Sequence, residues 1–429
     1  MTLLTVLAAG VLVRQSFVLA AVIRSARFLR MGRSTTTPPR SDGPGRTFFV
    51  VVPMLRETAV VGDAVCHLQA MAEGHIAQLI VVTTARERAD DGTTTADAVA
   101  ALTGKVVHLH HPDPTAIKAD QVNYAAEYCA TTLLGDVAAE EAFVVVYDAD
   151  SRPPVHSLAA FERAIGAHPD VSVFHQSSAF ELRSDVGWRL GRWVCDGGAL
   201  RANRFVTGFE IPRLRNRTGA VSSIKRRACS FVYAHVTGHG LCVRLSLLHE
   251  MPLPAGSPLE DMHLSFRLGT RNVPIVAVSS LDVAEVPDHP VEQVRQAARW
   301  FFGPGRALRY LRDPAIQSGR RAWVLAASAL GSAVEWLACA VFPTFTVLAV
   351  ALGAGALQTA AVAIATLYVA QLTITEATIG APDPVGRRLA RVVACPVATT
   401  LFGIGGLVGA VHLLRGGTGI GKTERRRAR

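Results

Sequence analysis

Apolar positions fall into two regimes along the chain. Between about residues 47 and 150, short runs of β-favouring residues alternate with stretches that are apolar at helical spacing. TFFVVVP (47–53), LIVVTT (79–84), KVVHLH (105–110) and VVVY (144–147) read as strands, and Glu57 to about Met71 and Lys118 to Leu134 read as helices. Continuous apolar strands separated by helices predict an α/β fold with a parallel sheet covered on both faces. After Asp150 the alternation loosens. In the second regime whole windows are apolar: 3–23, 322–342, 344–369 and 390–414. Each is near the ~20 residues needed to span a bilayer. Small residues abound in them, as expected where membrane helices pack closely. Arg14 interrupts the first window. Glu335 lies in the second and is expected to be buried against a partner.

These regimes divide the chain. Residues 1–24 read as a transmembrane anchor, since no small-residue cleavage site follows them. A linker by composition covers 34–46, and the α/β domain covers 47–290. An amphipathic helix at the membrane interface is expected over 291–320, its basic face meeting lipid headgroups. Membrane helices follow over 321–415, then a basic tail over 416–429. The basic, glycine-punctuated stretch 204–227 reads as a flexible, gating segment.

Composition sharpens this picture. The 429 residues are 50% hydrophobic with a formal charge of +10, and the mean hydropathy is +0.28. The arginines and lysines cluster beside apolar segments and form no tract interleaved with aromatics, so the partner they imply is a membrane surface and not nucleic acid. Arg24, Arg27, Arg30 and Arg33 place that flank in the cytoplasm, and with it the α/β domain of a multi-pass plasma-membrane protein. Four spans would then leave the terminal KTERRRAR outside, against the positive-inside tendency. One apolar run is therefore re-entrant or interfacial, or 344–379 crosses twice. The 7 cysteines are scattered, odd in number and without a CxxC pair, which suits a reducing compartment and excludes a disulfide framework.

Candidate chemistry gathers at a few places. VVVYDADSRP (144–153) runs a buried strand into Asp148 and Asp150, and ligands of open α/β sheets sit at the carboxyl ends of strands. Two such carboxylates can hold a hard divalent cation together with substrate phosphates. PLEDMHLSFRL (258–268) places Glu260 and Asp261 at a helix start, as ordinary capping or as a general base. Gln296, Arg299 and Trp300 put an amide, a guanidinium and an indole on one helical face, a set suited to diphosphate and a sugar ring. The remaining signals have structural readings. His108, His110 and His111 form a strand-end cluster. GGTGIGKT (416–423) imitates a phosphate loop without the strand and helix it needs, and GIGGLVG (403–409) is packing glycine in a membrane span.

Taken in order, VVPMLRE, KADQVNYA, YDADSRP, TGHG, LEDMHLSFRL and QAARW resemble the membrane-integrated family 2 glycosyltransferases, the group with cellulose, hyaluronan and poly-N-acetylglucosamine synthases. The resemblance covers about 48–310. It implies a GT-A nucleotide-diphospho-sugar transferase domain with flanking transmembrane helices, and inverting transfer to a growing polysaccharide. It implies donor binding by Pro53, Glu57, Lys118, Asn123, Asp148 and Arg299, and Mg²⁺ or Mn²⁺ on Asp150 with Asp148. Asp261 matches the catalytic base, with Gly238, His239, Gly240, Glu260, Gln296 and Trp300 on the acceptor side. The partners expected are a nucleotide-diphospho-sugar, a glycan or lipid acceptor, membrane lipids, and a second copy or a secretion partner. The family's Asp after the second strand is absent, with Asp90 or Asp91 as substitutes. That departure leaves the nucleoside open, with a UDP-sugar as the expected donor and a GDP-sugar as its alternative. Single transfer to a lipid or short acceptor is the rival activity. A nucleotide-binding membrane regulator without turnover is the rival of another class.

Overall fold

The computed structural model describes residues 3–34, 46–87, 92–102, 106–182, 190–217, 233–257, 259–380 and 383–417. Most of the linker, Asp90, Asp91, part of the gating segment, Pro258 and nearly all of the basic tail lie outside them.

Seven strands form one sheet: β1 (Thr47–Pro53), β2 (Ala77–Thr84), β3 (Val107–His111), β4 (Ala142–Val146), β5 (Val173–Glu181), β6 (Leu241–Arg244) and β7 (Val276–Glu285), in the order β3-β2-β1-β4-β6-β5-β7. The first four are parallel, with Val50 opposite both Leu79 and Val145. β6 runs antiparallel to β4 and β5, so the sheet is mixed and not purely parallel. Polar residues such as His175, Gln176 and Ser177 in β5 break the continuous apolar run that identifies strands by pattern alone.

Helices of the domain include α2 (Val61–Ala72), α3 (Thr95–Ala100), α4 (Lys118–Tyr128), α5 (Ser157–Ala167), α6 (Leu190–Phe205), α7 (Ile211–Arg217) and α8 (Glu260–Thr270), with α1 (Leu3–Ser34) preceding them. α2 begins later than the pattern predicts because the chain turns at Arg56, whose φ is 59°. The long helix expected from Lys118 keeps α geometry to Tyr128 and ends in a π-helical turn, Cys129–Leu133. Alternate residues of β1 and β4 feed two cores. Phe49, Val51, Val144 and Val146 pack with Ala119 and Val122 of α4. Phe48, Val50, Phe143 and Val145 pack with Leu68 of α2 and Phe161 of α5. Each such side chain contributes roughly 1.5–3 kcal/mol on burial. That double-sided core holds the strand ends rigid, which is what a site built on them requires.

Beyond the sheet lie α9 (Pro290–Gly305), α10 (Arg320–Ala338), α11 (Phe342–Leu352), α12 (Gly355–Ile379) and α13 (Val385–Leu414). Among the described residues, three helices are long and apolar enough to cross a membrane: α1, α12 and α13. α10 and α11 form a pair bent by 54° that would add a fourth if it is one span. The apolar windows 322–342 and 344–369 are therefore cut differently from expectation. The chain breaks after Ala338 and again at Gly353, so the second window is shared between α11 and α12. Nor does the first helix stop at residue 24. α1 continues to Ser34, burying Leu29 with Ala179, Val206, Ile211 and Ile379, and a Cβ on Gly32 would lie 2.1 Å from Ser279 Oγ of β7.

The glycines of GIGGLVG do serve packing. A Cβ on Gly405 would fall 2.6 Å from the Val294 carbonyl, and one on Gly409 2.6 Å from that of Ala298. α9 thus docks its small residues on α13. Glu335 has the partner expected of it, Arg14, but is not buried: the two side chains are 39% (Arg14) and 50% (Glu335) exposed.

Candidate active site

The end of β4 is tightly specified. Tyr147 is buried and donates its hydroxyl to Gln176 Oε1, while Gln176 Nε2 donates to Ser157 and Ser280. Asp148 N–H donates to Ser151 Oγ at 3.2 Å, and the Ser151 N–H returns to Asp148 O at 3.0 Å, closing a turn that presents both aspartates. Arg152 clamps this turn by donating to the carbonyls of Ala149 and Ser151.

Gly240 and Gly238 bring the second half of the site against it. The Gly240 N–H bonds the Val146 carbonyl at 2.9 Å. Gly240 has φ +65°, and a Cβ there would stand 2.2 Å from the Gln176 carbonyl oxygen, so glycine alone fits. At Gly238 a Cβ would lie 3.0 Å from Lys118 Nζ, 3.3 Å from Glu260 Oε1 and 3.6 Å from Asp261 Oδ2. One backbone position thus touches three of the charged groups singled out from sequence.

Lys118, at the start of α4, pairs with Asp148. Burial works against its charge, but Asp148, Glu260 and Asp261 outweigh it and hold the ammonium above its usual range. Asp261 sits in the first turn of α8. Its Oδ2 accepts the Gly238 N–H at 3.0 Å and its Oδ1 the Met262 N–H at 2.7 Å, so two backbone donors fix the carboxylate. The neighbouring Glu260 carboxyl is pushed up to about 7, by burial first and then by the charge of Asp261, with Lys118 opposing. Arg299 brings a guanidinium towards the same group. Burial lowers its pKa, and the charges of Asp148, Glu260 and Asp261 partly offset that. His239 is held through Nδ1 by buried Asp282 at 3.1 Å. Burial would lower its pKa, yet the bond to Asp282 and that carboxylate's charge raise it to about 9.

Other predicted residues take different places. Gln296 and Trp300 line a small cleft with Gly198, Arg201, Ala398 and Phe402, on the side towards α13, whereas Arg299 faces the carboxylates. The trio therefore divides between two neighbouring environments. Asn123 exchanges two hydrogen bonds of 2.9 Å with the Leu253 backbone, so its amide ties α4 to the segment before α8. Pro53 closes β1. Glu57 N–H donates to Thr95 Oγ1 at 2.9 Å. His108 and His110 both bond Thr83 Oγ1 and so brace β2 against β3.

Glu87 was not singled out from sequence. It follows β2 by three residues, and its carboxylate accepts from Arg56 N–H, Thr95 N–H and Thr95 Oγ1 at 3.0–3.1 Å. An acidic residue just past a strand end was the available signal, hidden in the charged string ARERADD. Asp282 and Gln176 were also missed, because they sit within strands that pattern alone did not reveal.

A parallel half-sheet ending in an acidic turn, joined by an antiparallel strand to a half that supplies Asp261, is the GT-A arrangement of nucleotide-sugar transferases. The chain belongs to glycosyl transferase family group 2, whose family model matches residues 143–374. No curated protein matches the chain significantly. Among solved structures it is similar to a mannosyltransferase from Pyrobaculum calidifontis in complex with GDP-Man and Mn²⁺, at 17% identity and TM-score 0.45, covering 85% of this chain and 98% of that one. It is also similar to glucosyl-3-phosphoglycerate synthase from Mycobacterium tuberculosis, in complex with Mn²⁺, UDP and glucosyl-3-phosphoglycerate. That match has 17% identity and TM-score 0.36, covering 68% and 84%.

Proposed function

We propose that this glycosyltransferase inverts the sugar it moves, taking it from a cytoplasmic nucleotide diphosphate to an acceptor hydroxyl presented at the membrane. The observation that carries the reading is the convergence of Lys118, Glu260 and Asp261 on Gly238, beside the acidic turn of β4.

Asp261 takes the proton of the attacking hydroxyl, and its two backbone donors orient the carboxylate for that task. Lys118 and Arg299 place cations where negative charge develops on the departing diphosphate. No carboxylic acid need protonate that leaving group. Among the described residues no three ligating side chains gather around one point, so a divalent ion would rest on Asp150 and Asp148 with diphosphate oxygens completing its shell. This donor set fits Mg²⁺ or Mn²⁺. When bound, the ion neutralises charge on the diphosphate.

A growing polysaccharide is the acceptor we favour, with Trp300 and Gln296 beside the site as its platform. Transfer of one sugar to a lipid is the second reading, supported by Arg14 of α1, Arg204 of α6 and Arg213 of α7, which gather around Phe209 beside a candidate membrane helix. For topology we propose three crossings, by α1, α12 and α13, with α10 and α11 re-entrant. This returns the basic tail to the side of the α/β domain, as the positive-inside tendency favours.

The test offers membranes holding the protein a panel of labelled nucleotide sugars with Mn²⁺ and sizes the product. A long labelled polymer is the expected result, and a single added sugar would establish the second reading. Turnover of no donor, in protein that still binds nucleotide, would contradict transfer itself.

A further inference from the structure

Strand β5 buries His175, Gln176 and Ser178, at 0%, 0% and 3% exposure. Polar side chains persist inside a sheet where other groups bond them. Gln176 supports the acidic turn through Tyr147, and Ser178 Oγ joins Asp282 in holding His239 Nδ1, both at 3.1 Å. His175 reaches the loop that bears Gly238. Its Nε2 lies 3.4 Å from Thr237 Oγ1 and 3.4 Å from Glu210 Oε1. Thr237 Oγ1 donates its own proton to the His239 carbonyl at 3.1 Å, so it presents a lone pair to His175, and Nε2 carries the hydrogen between them. Glu210 keeps that hydrogen in place. Burial works to raise its pKa, but the contact with His175 and its charge, then that of His235, hold the carboxyl below its usual range.

Thr237 precedes Gly238, whose N–H donates to Asp261 Oδ2 at 3.0 Å. The same loop is tied directly to α8 on its other side. Val236 N–H donates to Ser265 Oγ at 2.9 Å, and Ser265 Oγ donates to the Asp261 carbonyl at 2.7 Å. Residues 236–239 are thus held between α8 and His175. Glu210 closes a π-helical turn, Val206–Glu210, a geometry that is uncommon and frequent at functional sites. The turn is wedged against two candidate membrane helices. Thr207 Oγ1 bonds Thr375 Oγ1 of α12 at 2.9 Å, and a Cβ on Gly208 would lie 3.1 Å from Val18 Cγ1 of α1. That packing fixes where Glu210 meets His175.

We propose that His175 and Glu210 are positioning residues for the transfer: acting through Thr237, they hold the Gly238 N–H on Asp261, so that the carboxylate is aimed at the acceptor hydroxyl. As an aid to catalysis this rests on the reaction proposed above; as support of residues 237 and 238 it does not. A carboxylate that loses one of two backbone donors is free to turn, and a misplacement near 1 Å can lower a rate by about 10²-fold.

The test uses the full chain in detergent as Thr237→Val, which removes the hydroxyl at nearly constant volume, as Thr237→Ser, which keeps it, and as Glu210→Gln. Amide hydrogen exchange over residues 236–240 is measured beside steady-state transfer of the labelled donor that the unmodified protein turns over. Exchange should be at least about ten-fold faster in Thr237→Val and Glu210→Gln. Their kcat should fall by about ten-fold or more, with the donor KM within about two-fold of the unmodified value. Thr237→Ser should restore both. In an Asp261→Asn background, Thr237→Val should lower the remaining rate by less than about two-fold, because its effect runs through that carboxylate. An equal loss in both backgrounds would mark a general loosening of the fold and overturn the positioning role. Unfolding temperature and nucleotide binding report that each variant is folded, and Thr237→Val decides the outcome if Glu210→Gln does not fold. Unchanged exchange in Thr237→Val would overturn the support, and faster exchange with unchanged kcat would overturn its part in transfer. Turnover of no donor, or near-normal transfer by Asp261→Asn, would count against the reaction, while exchange still judges the support.

Discussion

Glu260 and His239 give the site a pH dependence that separates activity from stability. With the Glu260 carboxyl at about 7, its ionisation beside Asp261 spans neutral pH. Glu260→Gln should therefore remove a titration near pH 7 from the rate profile while leaving transfer measurable. An unchanged profile would assign that limb elsewhere. His239 is raised from 6.5 to about 9 by Asp282, with Asp148 adding to the rise and Lys118 opposing it. A raised folded-state pKa gives stability that is complete below pH 6.5 and is lost as pH climbs through about 9, on the order of 3 kcal/mol in full. Thermal unfolding from pH 6 to 10 should show this decline, and His239→Gln should flatten it. Asp150→Ala should weaken metal-dependent donor binding by at least about ten-fold, a change of about 1.4 kcal/mol, measured by nucleotide titration with and without Mn²⁺. Tight metal-dependent binding in that variant would move the ion to other residues.

Helix packing at the membrane rests on backbone contact that tolerates no side chain. Gly405→Leu or Gly409→Leu should drive α13 away from α9 and cost at least ~1–3 kcal/mol, as overpacking does. Gly386→Ala, with open space around it, should cost nothing comparable. Equal unfolding temperatures for all three in detergent would contradict the packing. The same elements show what a sequence reveals. β1, β2 and β4 are buried on both faces, so their apolar runs announced them, and the Asp148–Asp150 turn was legible because it follows such a run. β5 and β7 carry buried polar residues, among them Gln176 and Asp282, that serve the site and erase the apolar pattern. β6, with 4 residues, is too short to show a period. The arginines around Phe209 come from three separate helices, and only folding brings them together.

Across the whole molecule, membrane and sheet form one connected unit. α1 packs its later turns on β7 through Gly32, and α13 packs on α9, which carries Arg299. The three crossings proposed above would put both ends of this unit on fixed sides. A reporter fused after Arg429 should be active on the cytoplasmic side, and activity on the outer side would restore a fourth span. Proton removal from the acceptor, as proposed above, falls to one carboxylate. Asp261→Asn preserves shape and one acceptor oxygen while removing the base proposed above. Measured with the labelled donor that the unmodified protein turns over, this variant should transfer sugar at least about 10²–10³-fold more slowly and still bind the nucleotide. Transfer at a near-normal rate would show that another group takes the acceptor's proton.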